Sequence, residues 1–321
     1  MRLGFAPMRT DVLALLACPT CRGDLALDER AREGDHVMAG TLTCGGCGTV
    51  FPIRDGIPRL IPGSVTQASS QTAERFAAEW KTFDHMATYQ EEWLAGWLDP
   101  TPKEAFSGKI VLEGGCGKGR HAVVVSDWGA KHLVSLDLGD AVEVAFAHTR
   151  ERANVHVIQG DLLHPPVKQV FDIAFSVGVI HHLPDPRAGF ESLKSVVKPG
   201  GRLAVWVYGY ESNEWIVRWV NPLRERVTAR MPANVLYWLT LPPSAALLGA
   251  CRLGLSRRSP YFAALAKLPL REVHSIVFDQ LVTPIAHYLP EEEVRSWVAD
   301  LPDATVRWHR RMSWSVSARL R

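Results

Sequence analysis

At 321 residues the chain is about twice the length of a typical single domain, and 47% hydrophobic against 22% charged residues excludes a disordered tail, a collagen or a coiled coil. Lysine and arginine outnumber aspartate and glutamate by only 36 to 34, so no whole-molecule basic field draws the chain onto nucleic acid. Six cysteines are too few for a disulfide scaffold, and four of them fall in two tight pairs. In the N-terminal stretch MRLGFAPMRTDVLALLACPT, Asp11 interrupts a short apolar run, which argues against a cleaved signal peptide. A soluble, cytoplasmic protein is expected.

Residues 10–62 read as one compact unit with short β-type runs at 36–38, 41–43 and 50–53. Residues 63–107 open with the polar stretch 64–72, read as a linker. Phe76, Trp80 and Phe83, then Trp93 and Trp97, follow at helical spacing. From Lys109 strands and helices alternate: strands over 110–112, 133–136, 155–158, 171–175 and 203–207, helices over 121–128, 141–152 and 186–197. Alternation with near-continuous apolar strands predicts a parallel sheet covered on both faces. Residues 209–289 break that rhythm. They carry nine Lys/Arg against five Asp/Glu, net +4, and predict an inserted helical cap. Within the cap 231–251 is uncharged, but Pro242 and Pro243 predict two short helices there instead of a membrane span. A helix over 290–300 and strands over 305–309 and 313–320 complete a core of 108–208 plus 290–321.

The stretch Val111-Leu112-Glu113-Gly114-Gly115-Cys116-Gly117-Lys118-Gly119 runs from a strand through glycines toward a helix. Glycines permit a tight turn and close backbone approach, and the helix start offers free N–H donors. A phosphate-binding loop carries no acid at the strand end, because carboxylate and pyrophosphate repel. Glu113 in that place suits a cationic ligand. Asp137 ends the next strand, where a carboxylate binds ribose hydroxyls. Asp161 ends the third, positioned to accept from an adenine amino group. Cys18-Pro19-Thr20-Cys21 and Cys44-Gly45-Gly46-Cys47 lie 22 residues apart. Each pair places two thiolates on one knuckle, and four sulfurs with no open position make structural zinc.

On these residues, 108–208 resembles the class I S-adenosylmethionine-dependent methyltransferases, whose fold is a Rossmann-like seven-stranded α/β sheet. It is most similar to the ubiquinone/menaquinone-type group through Phe171-Asp172-Ile173-Ala174-Phe175-Ser176-Val177-Gly178-Val179-Ile180-His181-His182-Leu183-Pro184-Asp185-Pro186 and Lys198-Pro199-Gly200-Gly201. The resemblance implies that Glu113, Gly115 and Gly117 hold the methionyl part of S-adenosylmethionine, Asp137 the ribose, and Asp161 with Leu162 the adenine; Gly119 and Ser176 are also expected among the cofactor-binding residues. Residues 10–62 resemble the small zinc ribbon that activates tRNA and protein methyltransferases, through Leu15-Leu16-Ala17-Cys18-Pro19, Gly23-Asp24-Leu25 and Phe51-Pro52-Ile53-Arg54-Asp55-Gly56-Ile57-Pro58.

His181 and His182 follow the fourth strand at the carboxyl edge, where open α/β sheets bind ligands. Either can serve as the base for a protonated acceptor; alternatively, one of them packs or caps the next turn. Arginines 224, 226, 230, 252, 257 and 258 flank the apolar part of the cap, as in an element that meets anionic headgroups. The expected function is therefore methyl transfer to a small or lipid-linked metabolite, with peripheral membrane contact through 224–258. An RNA methyltransferase, ribosomal or transfer, is the second reading, ranked lower because basic residues concentrate in the cap instead of joining ribbon and core. A non-catalytic cofactor-binding scaffold is the third.

Overall fold

The computed structural model describes residues 10–34, 36–87 and 89–321, so the first part of the stretch used against a signal peptide lies outside it. The ribbon supplies four antiparallel strands: β1 (Leu25–Glu33), β2 (His36–Cys44), β3 (Val50–Arg54) and β4 (Ile57–Leu60). Two helices follow, α1 (Gln67–Thr82) and α2 (Gln90–Leu98). The alternating core then runs β5 (Ile110–Gly114), α3 (Arg120–Asp127), β6 (His132–Asp137), α4 (Ala141–Thr149), β7 (Val155–Gly160), β8 (Phe171–Val177), α5 (Pro186–Ser195) and β9 (Val197–Tyr208). The cap holds α6 (Asn221–Arg226), α7 (Ala233–Leu253), α8 (Pro260–Ala266) and α9 (Leu270–Val282); α10 (Glu291–Ser296), β10 (Thr305–His309) and β11 (Ser313–Arg319) close the chain.

The core strands stand in the order β7-β6-β5-β8-β9-β11-β10, parallel except for β11, which pairs antiparallel with both neighbours. This is the seven-stranded class I methyltransferase sheet. Successive residues of a strand face opposite sides, and here both sides are buried. Val111, Leu133, Val157 and Phe175 enter one apolar core, while Leu112, Val134, Ile158 and Ala174 enter the other. Two-sided burial explains why the strands read as unbroken apolar runs.

Three local expectations change. The ribbon is not a separate bead: β4 pairs parallel with β7 (Arg59 with Gln159, Leu60 with Gly160), making one sheet of eleven strands. The stretch 64–72 is mostly helix, because Thr66 Oγ1 accepts the Ser69 N–H at 3.2 Å and caps α1. The two prolines lie inside a single helix, α7. Their missing N–H groups would have reached the carbonyls of Trp238 and Leu239, whose residues are exposed, so water can satisfy those carbonyls. Among the described residues no helix is long and apolar enough to cross a membrane.

Candidate active site and zinc centre

The four cysteines converge. Cys18 Sγ lies 3.7 Å from Cys47 Sγ, Cys21 Sγ lies 3.4 Å from Cys44 Sγ, and all four sulfurs are within 4.8 Å of one another. Thiolates bound at about 2.3 Å to one tetrahedral ion stand roughly 3.8 Å apart, so the set fits structural zinc. The Gly46 N–H also points at Cys44 Sγ, at 3.4 Å.

At the carboxyl edge of the sheet a cavity of about 880 Å³ lies between the glycine loop and the cap. The loop is tight. Gly115 has φ +79, and a Cβ there would come within 2.3 Å of Val179; Gly117 has φ +51 and abuts the Trp80 indole. Asp137 Oδ2 accepts the Gly117 N–H and Oδ1 the Gly139 N–H, both at 2.9 Å, which ties the second acid to the loop. Burial raises the Asp137 carboxyl above its ordinary range. Asp161 accepts from the Leu163 N–H at 2.9 Å and lies 3.1 Å from His164 Nδ1.

Glu113 sits under the loop, 1% exposed. Its Oε2 accepts from Ser135 Oγ at 2.9 Å, whereas Oε1 has no hydrogen-bond partner and only the His121 ring 3.3 Å away. Burial pushes this acid up to about 8. A cationic ligand above the loop supplies the charge partner it lacks, as the sulfonium and ammonium groups of S-adenosylmethionine would.

Of the residues expected at the site, Gly115, Gly117, Asp137, Asp161, Leu162 and His182 line the cavity, and Glu113, Gly119, Ser176 and His181 do not. Ser176 Oγ donates to the Gly114 carbonyl at 2.8 Å and braces the loop from below. His181 is fully buried, stacked 3.8 Å from the Tyr208 ring, with Nδ1 accepting the Tyr208 N–H at 3.3 Å. His182 Nδ1 donates to the Ile285 carbonyl at 2.6 Å, which leaves Nε2 with the lone pair. Burial lowers the His182 imidazole to about 3 and also holds His181 well below the ordinary imidazole range, so both rings are neutral.

Side chains from β9, α1 and the cap meet on the acceptor side of the cavity. Tyr208 Oη donates to Asp279 Oδ2 at 2.8 Å, Gln280 Nε2 donates to Tyr208 Oη at 2.8 Å, and Tyr288 Oη donates to Gln280 Oε1 at 2.7 Å. Glu79 on α1 is fully buried, with Oε1 accepting from Ser275 Oγ at 3.3 Å and Oε2 unpartnered. Burial raises Glu79 and Asp279, and each charge opposes the other's ionisation. Arg120, the first residue of α3, lies over the Trp80 and Trp97 rings at 5.3 and 5.6 Å. Lys118 Nζ donates to the carbonyls of Phe83 and His85 at 2.7 and 2.8 Å, fastening the segment after α1 across the loop. The one available signal for Arg120 was its place directly after the glycines; Glu79 left none, being one of two acids on a mixed helix.

The fold, the loop and its acids define a class I S-adenosylmethionine-dependent methyltransferase domain carrying a zinc ribbon. Residues 112–205 match the model of the methyltransferase domain family, and residues 9–56 match that of the Trm112p-like proteins. The chain thus joins a methyltransferase domain to its own Trm112p-like ribbon. Six curated relatives carry the name tRNA U34 carboxymethyltransferase. The one from Methylococcus capsulatus is 31% identical over 155 residues, 44% of this chain and 46% of its own. A ubiquinone biosynthesis O-methyltransferase from Paraburkholderia phymatum is 33% identical over 116 residues, 35% of this chain and 47% of its own. The chain spans about a third to just under half of the length of the six tRNA relatives. Among solved structures, the DhpI–SAH complex aligns with a TM-score of 0.50 at 17% identity, covering 79% of this chain and 97% of that one, and shows the fold alone.

These names correct the expected acceptor. A small or lipid-linked metabolite, with nucleic acid ranked behind it, does not agree with six relatives named for tRNA. The misreading has a physical origin: net charge averages out a local basic surface, and tryptophans among arginines suit stacked bases as well as headgroups.

Proposed function

We propose that this protein transfers a methyl group from S-adenosylmethionine to tRNA. The observation that carries the reading is the run of relatives named for a tRNA base modification. The cavity supports it, being larger than a cofactor alone needs and walled on its open side by cap residues. S-adenosylmethionine, when bound, would supply a methyl group activated by its sulfonium, and Gly115, Gly117, Asp137 and Asp161 are the cavity residues that would hold it.

What the chain contributes is alignment and exclusion of water. Glu113 offers its charge from below the loop, and Asp137 fixes the loop while facing the cavity. Trp80 and the Lys118-tethered segment cover the cofactor side. His182, neutral and lining the cavity, can accept a hydrogen bond at Nε2 and so orient the acceptor, and the Tyr208–Asp279 pair holds the opposite wall. The protein would work in the cytoplasm beside its tRNA.

The test is to supply methyl-labelled S-adenosylmethionine with total tRNA, protein, lipid and aqueous fractions from the source cells, using Asp137→Ala as the control. Label in tRNA that disappears in the variant is expected. Label confined to any other fraction would overturn the proposal.

A further inference from the structure

The mouth of the cavity has a composition that neither the cofactor nor the fold requires. The β10–β11 hairpin turns on two residues, Arg310 and Arg311, with the Met312 N–H returning to the His309 carbonyl at 3.1 Å. Both arginines hold positive φ, +49 and +59. Asparagine and glycine fill such turns at low cost, and arginine at both positions works against the backbone. Both side chains nevertheless line the cavity, together with Arg258; Arg311 and Arg258 are exposed, and Arg310 lies over the Trp93 ring at 4.2 Å, which leaves the edge of its guanidinium for a ligand. Across the opening stands Trp215, also on the cavity wall and 56% exposed. One turn further lies Trp219, 67% exposed, with the Arg218 guanidinium 5.1 Å from its ring centre.

Building on the tRNA reading, we propose that this rim is a clamp for a single-stranded RNA loop. Arg310, Arg311 and Arg258 take the phosphates flanking the modified nucleotide, Trp215 and Trp219 stack its neighbours, and the target base turns inward toward the cofactor. Three features favour this occupant. The cations complement a phosphate chain, whereas a planar lipid surface gains nothing from a deep hole. Exposed indoles beside a guanidinium form the stacking platform that unpaired bases use. The opening leads down to the glycine loop, so whatever docks must send one group inward, which a paired base in a duplex cannot do.

The clamp is tested by fluorescence anisotropy with a labelled RNA hairpin bearing a seven-nucleotide loop, against a blunt duplex of equal length, over a range of salt. The wild type should prefer the loop. Arg310→Asn with Arg311→Gly suits the turn better but gives up the Arg310–Trp93 contact, so Tm should hold while loop binding weakens and the salt slope falls by about 1.4, two phosphate contacts at roughly 0.7 each. Trp219→Ala should weaken loop binding about tenfold with Tm unchanged. Equal affinity for duplex, unaltered binding in both variants, or tighter binding of vesicles rich in anionic lipid than of the RNA loop would each overturn the clamp. Label transfer into tRNA by the wild type is scored separately. If it persists while the variants bind normally, the clamp fails and the tRNA reading stands; if it is absent, the tRNA reading fails.

Discussion

Replacing Gly115 by alanine should strike the loop that carries the cofactor, and the structure gives the size of the effect in two parts. At φ +79 an alanine pays the left-handed penalty of about 1–2 kcal/mol. Its Cβ would also lie 2.3, 2.6 and 2.8 Å from three carbons of Val179. Those atoms belong to a stiff, branched side chain, so an overpacking cost of about 1–3 kcal/mol applies. The sum, about 2–5 kcal/mol, corresponds to a loss in Tm of about 3–7 °C for a chain of 321 residues. Calorimetric titration with S-adenosylmethionine should show weaker binding, because the displaced loop also carries the Gly117–Asp137 hydrogen bond. Combining the change with Val179→Ala removes the contacts at 2.3 and 2.6 Å but leaves the one to Cβ at 2.8 Å and the backbone penalty, so the pair should show a favourable coupling of about 1 kcal/mol in a double-mutant cycle. A Tm within about 1 °C of wild type, or strictly additive effects at the two positions, would refute the close approach on which the loop geometry rests.

Glu113 titrates near 4.5 when exposed and near 8 in the fold. Its protonated form therefore stabilises the folded apoprotein, fully below about pH 4.5, and that contribution is lost as pH rises through about 8. Urea titrations should show the wild type losing stability across this window relative to Glu113→Gln, and parallel curves would count against the burial. Cys44→Ser should abolish stoichiometric zinc by elemental analysis and expose the ribbon to proteolysis, since structural zinc supplies much of the folding energy of small ribbons; retained zinc would mean another ligand set. Tyr208→Phe removes the donor to half-buried Asp279 and should cost about 1 kcal/mol in stability. Because Tyr208 faces the acceptor side, its turnover should fall while cofactor affinity holds, and a change confined to that affinity would contradict the placement.

Much of this was legible in the residues, and the boundary of legibility has physical reasons. Glu113, Asp137 and Asp161 could be ordered along successive strands because short apolar runs and glycine turns are local signals. The four cysteines carried their own geometry in their spacing. The pairing of Ile57–Leu60 with β7 left no such mark, since it joins residues about a hundred positions apart. Prolines 242 and 243 suggested a break, and only the exposure of the preceding turn shows why the helix survives them. His182 could be placed at the edge of the sheet from sequence, but its neutrality depends on burial by a cap that comes later in the chain. The weight of Trp215, Arg310 and Arg311 was lost for a related reason: they belong to different elements and become one rim only when the hairpin and the cap meet.

The shared strand edge makes the zinc knot part of the catalytic sheet's foundations. β4 hangs between the ribbon and β7, and Arg59 on it grips the Gln159 side chain at 2.9 Å, two residues before Asp161. Stripping the metal would therefore fray the edge of the sheet that carries Asp161. Metal scarcity would be felt as slack at the cofactor's far rim, so that one chain answers at once to its sulfonium donor and to the cell's store of zinc.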